Sequence, residues 1–241
     1  MSNLLVEIGN TALKAAWSEG TTLGKTFRYQ GEKKIRYIRT ITEKERPEIL
    51  TVASSEVISA EDRKILAGEC SHLIVLDPSD TGELLRHDLP EYLSYDRAAG
   101  IIAASFLFKG KPCSIFDFGT TMTVDFVDAS GRYKGGNISP GLRTRFMALN
   151  RYSRSLPLVD TPETIRPEGD SIQGSIESGV ISGIMFEIDG YIGRNPENIV
   201  IFTGGDAIYF AKRMKNSIFA VSNLVLMGLA LITDEYVRRN L

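Results

Sequence analysis

Cysteine, histidine and tryptophan are scarce: the 241 residues hold two, two and one of them. Cys70 and Cys113 show no metal-ligand spacing, which excludes a cysteine-based metal centre, and both read as inert thiols of a reducing compartment. No charge of one sign prevails. The net charge is −2 with the signs interspersed, so the basic stripe that a phosphodiester backbone demands is missing, and nucleic acid is not an expected partner. Long apolar runs are missing too. The most apolar stretch, 218–232, is broken by Ser222, Asn223 and Gly228 and is shorter than the roughly 20 residues of a membrane span. Glu7 interrupts the first apolar run, which removes the pattern of a secretory leader. A cytoplasmic protein without membrane contact is expected. Finally, neither G-x-x-x-x-G-K-[ST] nor G-x-G-x-x-G occurs, so a bound nucleotide would be held by neither common device.

What is present is an ordinary globular composition, 43% hydrophobic and 24% charged, enough for one large domain or two of usual size. The chain also repeats itself. Aligning LLVEIGNTALKAAWSEG (4–20) with CSIFDFGTTMTVDFVDASG (113–131) sets Gly9 on Gly119, Glu7 on Asp117, Asn10 on Thr120 and Thr11 on Thr121. Each copy reads as an apolar strand, an acid-x-Gly-polar-Thr turn and a second strand, with a third strand following at TTLGKTFRY and RYKGGNISP. A duplicated α/β domain is the consequence.

The remaining pattern fits two such halves. Helices are expected over 31–45, 59–68 and 96–108, with strands at EILTVAS and HLIVLD. The second half offers a helix after Pro140, a long helix over 171–193, a strand NIVIFTG, a helix from Asp206, a strand SIFAV and a terminal helix from Asn223. Gly110 and Pro112 mark the boundary, giving domains 1–110 and 111–241. Residues 151–170, with three prolines and many charges, are expected to be a mobile excursion.

The turns carry the chemistry. A glycine there lets backbone approach a ligand, and the amides after it can converge on an anion. The hydroxyls of Thr11, Thr120, Thr121 and Thr123 add donors, and Lys14 supplies a point charge for a phosphoryl oxygen. Glu7 and Asp117 cannot bind phosphate themselves; carboxylates in that position suit Mg²⁺, which favours them together with substrate phosphates. A single D-x-G-T is equally the signature of a tight hairpin, but two matching copies favour the phosphate reading. Two further glycine turns, KGGNISPGL at 134–142 and IFTGGDA at 201–207, also allow close backbone approach.

Taken in order, the four turns resemble the motif series of the type III pantothenate kinases, members of the sugar kinase, Hsp70 and actin superfamily. The matching residues are E-I-G-N-T-x-x-K at 7–14, D-x-G-T-x-x-T-x-D at 117–125, G-G-x-I-x-P-G at 135–141 and T-G-G at 203–205. The family's G-x-D-R marker appears as Ser94-Tyr95-Asp96-Arg97, and the likeness spans nearly the whole chain. It implies an α/β fold of two duplicated RNase H-like, actin-like ATPase domains, each a mixed five-stranded sheet flanked by helices. It implies ATP-dependent phosphorylation of pantothenate to 4′-phosphopantothenate, the first step of coenzyme A biosynthesis, with ATP, Mg²⁺ and a monovalent cation, K⁺ or NH₄⁺, as cofactors. Asp96 would be the catalytic base, and Ser94, Tyr95, Asp96 and Arg97 would line the pantothenate site. Glu7, Ile8, Gly9, Asn10, Thr11 and Lys14 would hold the nucleotide phosphates in the first half, and Gly119, Thr120 and Thr121 in the second, with Gly204 and Gly205 at the adenosine. Asp117 and Glu7 would serve the divalent metal, and Asp125 the monovalent cation. A homodimer is implied, with the long second-half helix at its interface and Ser171 matching a Thr that reaches the neighbouring subunit's substrate.

The sequence departs from that family where it has Glu7 for Asp, Ser94 for Gly, Thr121 for a usual Ala and His87 for a common Tyr. Glu7 is one methylene longer and would crowd the metal or displace a water. A second reading is therefore a catalytically weakened nucleotide-binding accessory or regulatory protein of the same fold. Against it, positions 7, 96 and 117 all remain acidic.

Overall fold

The computed structural model describes residues 2–241. Its first strands follow from short apolar runs between turns: β1 (Asn3–Ile8), β2 (Leu13–Glu19) and β3 (Thr22–Tyr29) form an antiparallel meander. Leu4 and Val6 point to one face and Leu5 to the other, and all three are fully buried, because both faces of this sheet are covered. α1 (Lys34–Thr42) leads to β4 (Ile49–Ser54), then α2 (Ala60–Gly68) to β5 (His72–Leu76). β4 and β5 add in parallel beside β1, giving the order β3-β2-β1-β4-β5. α3 (Gly82–Arg86) and α4 (Tyr95–Leu107) follow.

The second half repeats this plan. β6 (Cys113–Phe118), β7 (Thr121–Val127) and β8 (Tyr133–Pro140) are again an antiparallel meander. After α5 (Leu142–Tyr152) and α6 (Ile172–Arg194), β9 (Ile199–Gly204), α7 (Ala207–Ala211) and β10 (Ile218–Ala220) complete a sheet in which β9 and β10 are parallel to β6. Read from its outer antiparallel strand the order is β8-β7-β6-β9-β10, the arrangement of the first sheet. α8 (Leu224–Asn240) ends the chain.

Each sheet has its own core. In the first, Leu4, Val6, Leu13, Ala15, Leu50 and Val52 pack under α1 and α2 through Ile38 and Leu66. In the second, aromatic rings hold the central strands: Phe118 lies 4.8 Å from Phe202 and 5.1 Å from Phe210, centroid to centroid. Such contacts contribute about 0.5–1.5 kcal/mol each beyond the burial of their area, and they fix the ends of β6 and β9. Cys70 and Cys113 are buried free thiols, and burial pushes the Cys113 thiol up to about 11, consistent with the inert role expected of it.

Two expectations are corrected. α8 belongs with the first sheet: the compact units are residues up to Leu107 with Asn223–Leu241, and Phe108–Ser222, not 1–110 and 111–241. The reason is packing. Gly228 lies so close to α4 that a Cβ on it would fall 1.9 Å from the Ala99 carbonyl oxygen, and the Thr233 and Thr51 hydroxyls are 2.7 Å apart in the buried interior. Residues 153–171 form no helix or strand, as expected, but they are tied down. Tyr209 donates to the Pro162 carbonyl and Ser178 to that of Arg166, each at 2.8 Å, and Val159 is buried. The helix expected from Asp206 is present as the five-residue α7.

Candidate active site

In the first unit the backbone closes tightly after β1. The Gly9 N–H donates to the Ala12 carbonyl at 3.0 Å, leaving Asn10 and Thr11 exposed at the tip beyond Ile8. The β1–β2 register sets Glu7 directly opposite Lys14, and their charged atoms lie 3.6 Å apart. That is an ion pair beyond hydrogen-bond length. Burial raises the Glu7 pKa; Lys14 counteracts this and the negative charge of Asp96 reinforces it, so the carboxyl stays above its ordinary value. Glu7 Oε2 is buried and lacks a hydrogen-bond partner.

Asp96 sits in the first turn of α4, where the helix dipole favours a carboxylate, and its Oδ1 accepts from the Arg97 N–H at 2.8 Å. Ser94 precedes the helix and its carbonyl accepts the Ala98 N–H. Ser94, Asp96 and Arg97 are half-buried, open enough to meet a ligand. Tyr95 faces the other way: it is buried and its hydroxyl donates to the Asp80 carbonyl at 2.8 Å. Burial, with the nearby Asp80 and Glu83 charges, pushes that phenol up to about 12. Tyr95 therefore anchors the start of α4. The first unit thus brings Glu7, Lys14 and Asp96 into one electrostatic cluster.

In the second unit four glycines converge on one turn. Gly119 donates to the Thr121 carbonyl, and the Thr120 carbonyl accepts both from the Gly141 N–H at 3.0 Å and from the Thr144 hydroxyl at 2.5 Å. A Cβ at Gly141 would fall 2.1 Å from the Gly119 carbonyl oxygen. Gly204 has φ +92°, and a Cβ there would lie 2.4 Å from Asp117 Oδ1 and 2.5 Å from the Phe118 backbone nitrogen. Gly205 follows, and the Asp206 N–H reaches the Phe118 carbonyl at 3.3 Å. Asp117 is paired with Thr123 on β7 and Thr203 on β9. Thr121 starts β7 opposite Pro140.

Two predicted residues stand apart from these turns. Asp125 lies four residues along β7 from Thr121, about 13 Å at strand rise; it is 3% exposed and accepts from the Tyr133 hydroxyl at 3.1 Å. Ser171 caps α6, accepting the Gly174 N–H at 3.0 Å, beside a cavity of about 300 Å³ lined by Arg166, Asp170, Gln173 and Glu177. A larger cavity of about 600 Å³, walled by Trp17, Phe27 and Tyr37, contains none of the predicted residues. Trp17 is on the α1 face of the first sheet, whereas Glu7 and Lys14 are on the other.

Sequence reasoning missed Lys34. Its ammonium donates to the carbonyls of Gly9 and Asn10, a contact that no local motif announces because α1 lies two strands further along the chain. The hydroxyl of Thr144 escaped notice for the same reason.

Among the described residues no group of three or more His, Cys, Asp or Glu side chains could hold a metal alone. A cation at these turns would take one or two carboxylates, with phosphate and water as its other ligands, which is the habit of Mg²⁺. Glu7 Oε2, which makes no hydrogen bond and only the longer ion pair with Lys14, fits that requirement. No helix of the described residues is long and apolar enough to cross a membrane.

Among protein families, the model described as type III pantothenate kinase matches residues 3–194. The type III pantothenate kinase of Bacteroides fragilis is 35% identical over 236 residues, covering 94% of this chain and 95% of that protein. Among solved structures, a Baf family protein of Campylobacter jejuni superposes with a TM-score of 0.64 at 20% identity, covering 98% of this chain and 99% of that one. A ROK hexokinase from Thermus thermophilus superposes with a TM-score of 0.56 at 13% identity over 100% of both chains. These structural likenesses bear on fold alone, and with the repeated sheet order they fit two duplicated RNase H-like halves.

Proposed function

The chain belongs to the type III pantothenate kinase family, and we infer from that premise that it is a kinase that phosphorylates pantothenate with ATP in coenzyme A biosynthesis. The observation that carries the site assignment is the cluster of Glu7, Lys14 and Asp96 at the end of the first meander. An alcohol is a poor nucleophile until its proton has somewhere to go. Asp96 accepts the proton of the pantothenate primary hydroxyl as the oxygen bonds to the γ-phosphorus and ADP departs; Arg97 pairs with the substrate carboxylate. In the first unit Gly9, Asn10, Thr11 and Lys14 are the residues for phosphate oxygens; in the second Gly119, Thr120 and Thr121 are, and Gly204 and Gly205 allow an adenosine close to backbone. Glu7 in the first unit and Asp117 in the second are the carboxylates that would hold Mg²⁺, which would supply neutralisation of the phosphate charge. Asp125 serves K⁺ or NH₄⁺.

The protein is proposed to work in the cytoplasm as a homodimer joined through α6. Supporting the dimer, Phe186 is 72% exposed and Ile172 61%, and open space surrounds the Cβ positions of Gly179 and Gly183. Light scattering in solution should give twice the chain mass; a monomer at assay concentration would remove this part.

A coupled ADP-release assay with pantothenate, run with and without K⁺, tests the activity. Turnover that needs pantothenate and rises with K⁺ is expected. No pantothenate-dependent turnover in either condition would favour the accessory reading. Asp96→Asn should lower kcat by at least about 10²-fold while leaving the thermal midpoint in place; near wild-type turnover would remove Asp96 as the base.

A further inference from the structure

Lys34 lies in the first turn of α1, and its ammonium reaches back to the tip between β1 and β2. It donates to the carbonyl oxygens of Gly9 at 2.5 Å and Asn10 at 3.2 Å. Those carbonyls belong to consecutive peptide units. A trans peptide is planar, with its C=O and N–H directed oppositely, so holding the Gly9 oxygen sets the direction of the Asn10 N–H. Holding the Asn10 oxygen does the same for the Thr11 N–H. Both amides are turned away from Lys34, towards the other side of the tip. The Gly9 N–H is already used within the turn, on Ala12. Successive amides aimed one way form a concave anion site. If the same peptides flipped, they would present carbonyl oxygens and repel an anion.

Resting on the phosphate-binding role proposed for this turn, we infer that Lys34 is a positioning residue. It clamps the carbonyls of Gly9 and Asn10 so that the amides beyond them face the polyphosphate of a nucleoside triphosphate. Lys34 touches no reacting atom. Its effect is to pre-organise the turn and to add positive potential behind the anion. Lys14 cannot replace it, because Lys14 lies on the sheet face opposite α1, beside Glu7.

The test compares wild type, Lys34→Met and Lys34→Arg in steady-state kinetics and in ATP-induced thermal shift. Met keeps the length and apolar stem of the side chain while removing its charge and donors. Lys34→Met should raise KM for Mg-ATP at least about tenfold while KM for pantothenate stays within about twofold. The nucleotide-free midpoint should stay put, and most of the thermal shift given by ATP should be lost. Lys34→Arg, which restores a cation and donors, should recover most of the ATP affinity. An unchanged KM for Mg-ATP in Lys34→Met would overturn the inference. So would a lowered nucleotide-free midpoint with both KM values raised in parallel, which would make Lys34 a structural residue only. If wild type takes an ATP-induced shift yet never phosphorylates pantothenate, the kinase reading fails alone, and the shift in Lys34→Met still decides the role of Lys34.

Discussion

The two turns that close the meanders share a backbone plan and differ in how each accommodates its acid. In the first, Glu7 faces an ammonium across the strand pair, and the neighbouring strand offers Ala53 beside it and Ser54 at the end. In the second, Asp117 faces the hydroxyl of Thr123, the neighbouring strand offers Thr203, and the end position is Gly204, pressed against Asp117. Ser54 and Gly204 occupy matching places in the two sheets, paired with Ile8 and Phe118. The first acid has a charge facing it, and the second has backbone packed closely against it. Charge tolerates small displacements, because Coulomb attraction falls gradually with distance, whereas close contact does not.

The sharpest way to break that contrast is to add one carbon on the second side. Gly204→Ala should destabilise the protein by about 3 kcal/mol or more, from a strained positive φ and from collision with Asp117 and the Phe118 backbone. Urea unfolding would register it, and ATP should no longer raise the thermal midpoint. Ser54→Gly at the matching place should cost less than about 1 kcal/mol; equal losses would show that the turns do not differ in this way. Removing the counter-charge on the first side comes next. Lys14→Met leaves Glu7 buried without its partner and should cost about 2 kcal/mol, less than for a fully enclosed pair because both groups retain some water. Thr123→Val, the corresponding change in the second turn, should stay within about 1 kcal/mol. The smallest effect is expected of Glu7→Asp, which withdraws the carboxylate from Lys14: kcat should change by less than about tenfold. A rise in kcat would mean that the longer acid limits the enzyme.

Much of this was legible beforehand because it is written in local pattern. Short apolar runs, LLVEI and SIFDF, marked the central strands, and the acid-Gly-Thr spacing marked both turns. Glycine-rich stretches pointed to close backbone approach to a ligand; what Gly141 and Gly204 press against is the chain's own turn, at Gly119 and Asp117. What escaped depends on partners distant in sequence. The apolar character of 224–232 says that the helix is buried but not under which sheet, so α8 was assigned to the wrong half. Prolines and charges in 151–170 suggested mobility, since a sequence cannot announce that Tyr209 and Ser178 will hold its carbonyls. Tyr95 looked like a substrate ligand from its place between Ser94 and Asp96, yet helical geometry turns it inward to Asp80. The short α3 has too few residues for a period to be read.

The return of α8 has a consequence in time. A ribosome delivers residues up to Leu107 well before Asn223–Leu241, so the β-sheet carrying Glu7 is synthesised early but acquires the helix that packs against α4 last. The stretch 108–222 is contiguous and meets no such delay. During synthesis the half carrying the proposed base is therefore the later to mature, and its buried Thr51 hydroxyl waits for Thr233, 182 residues downstream, to complete a hydrogen bond.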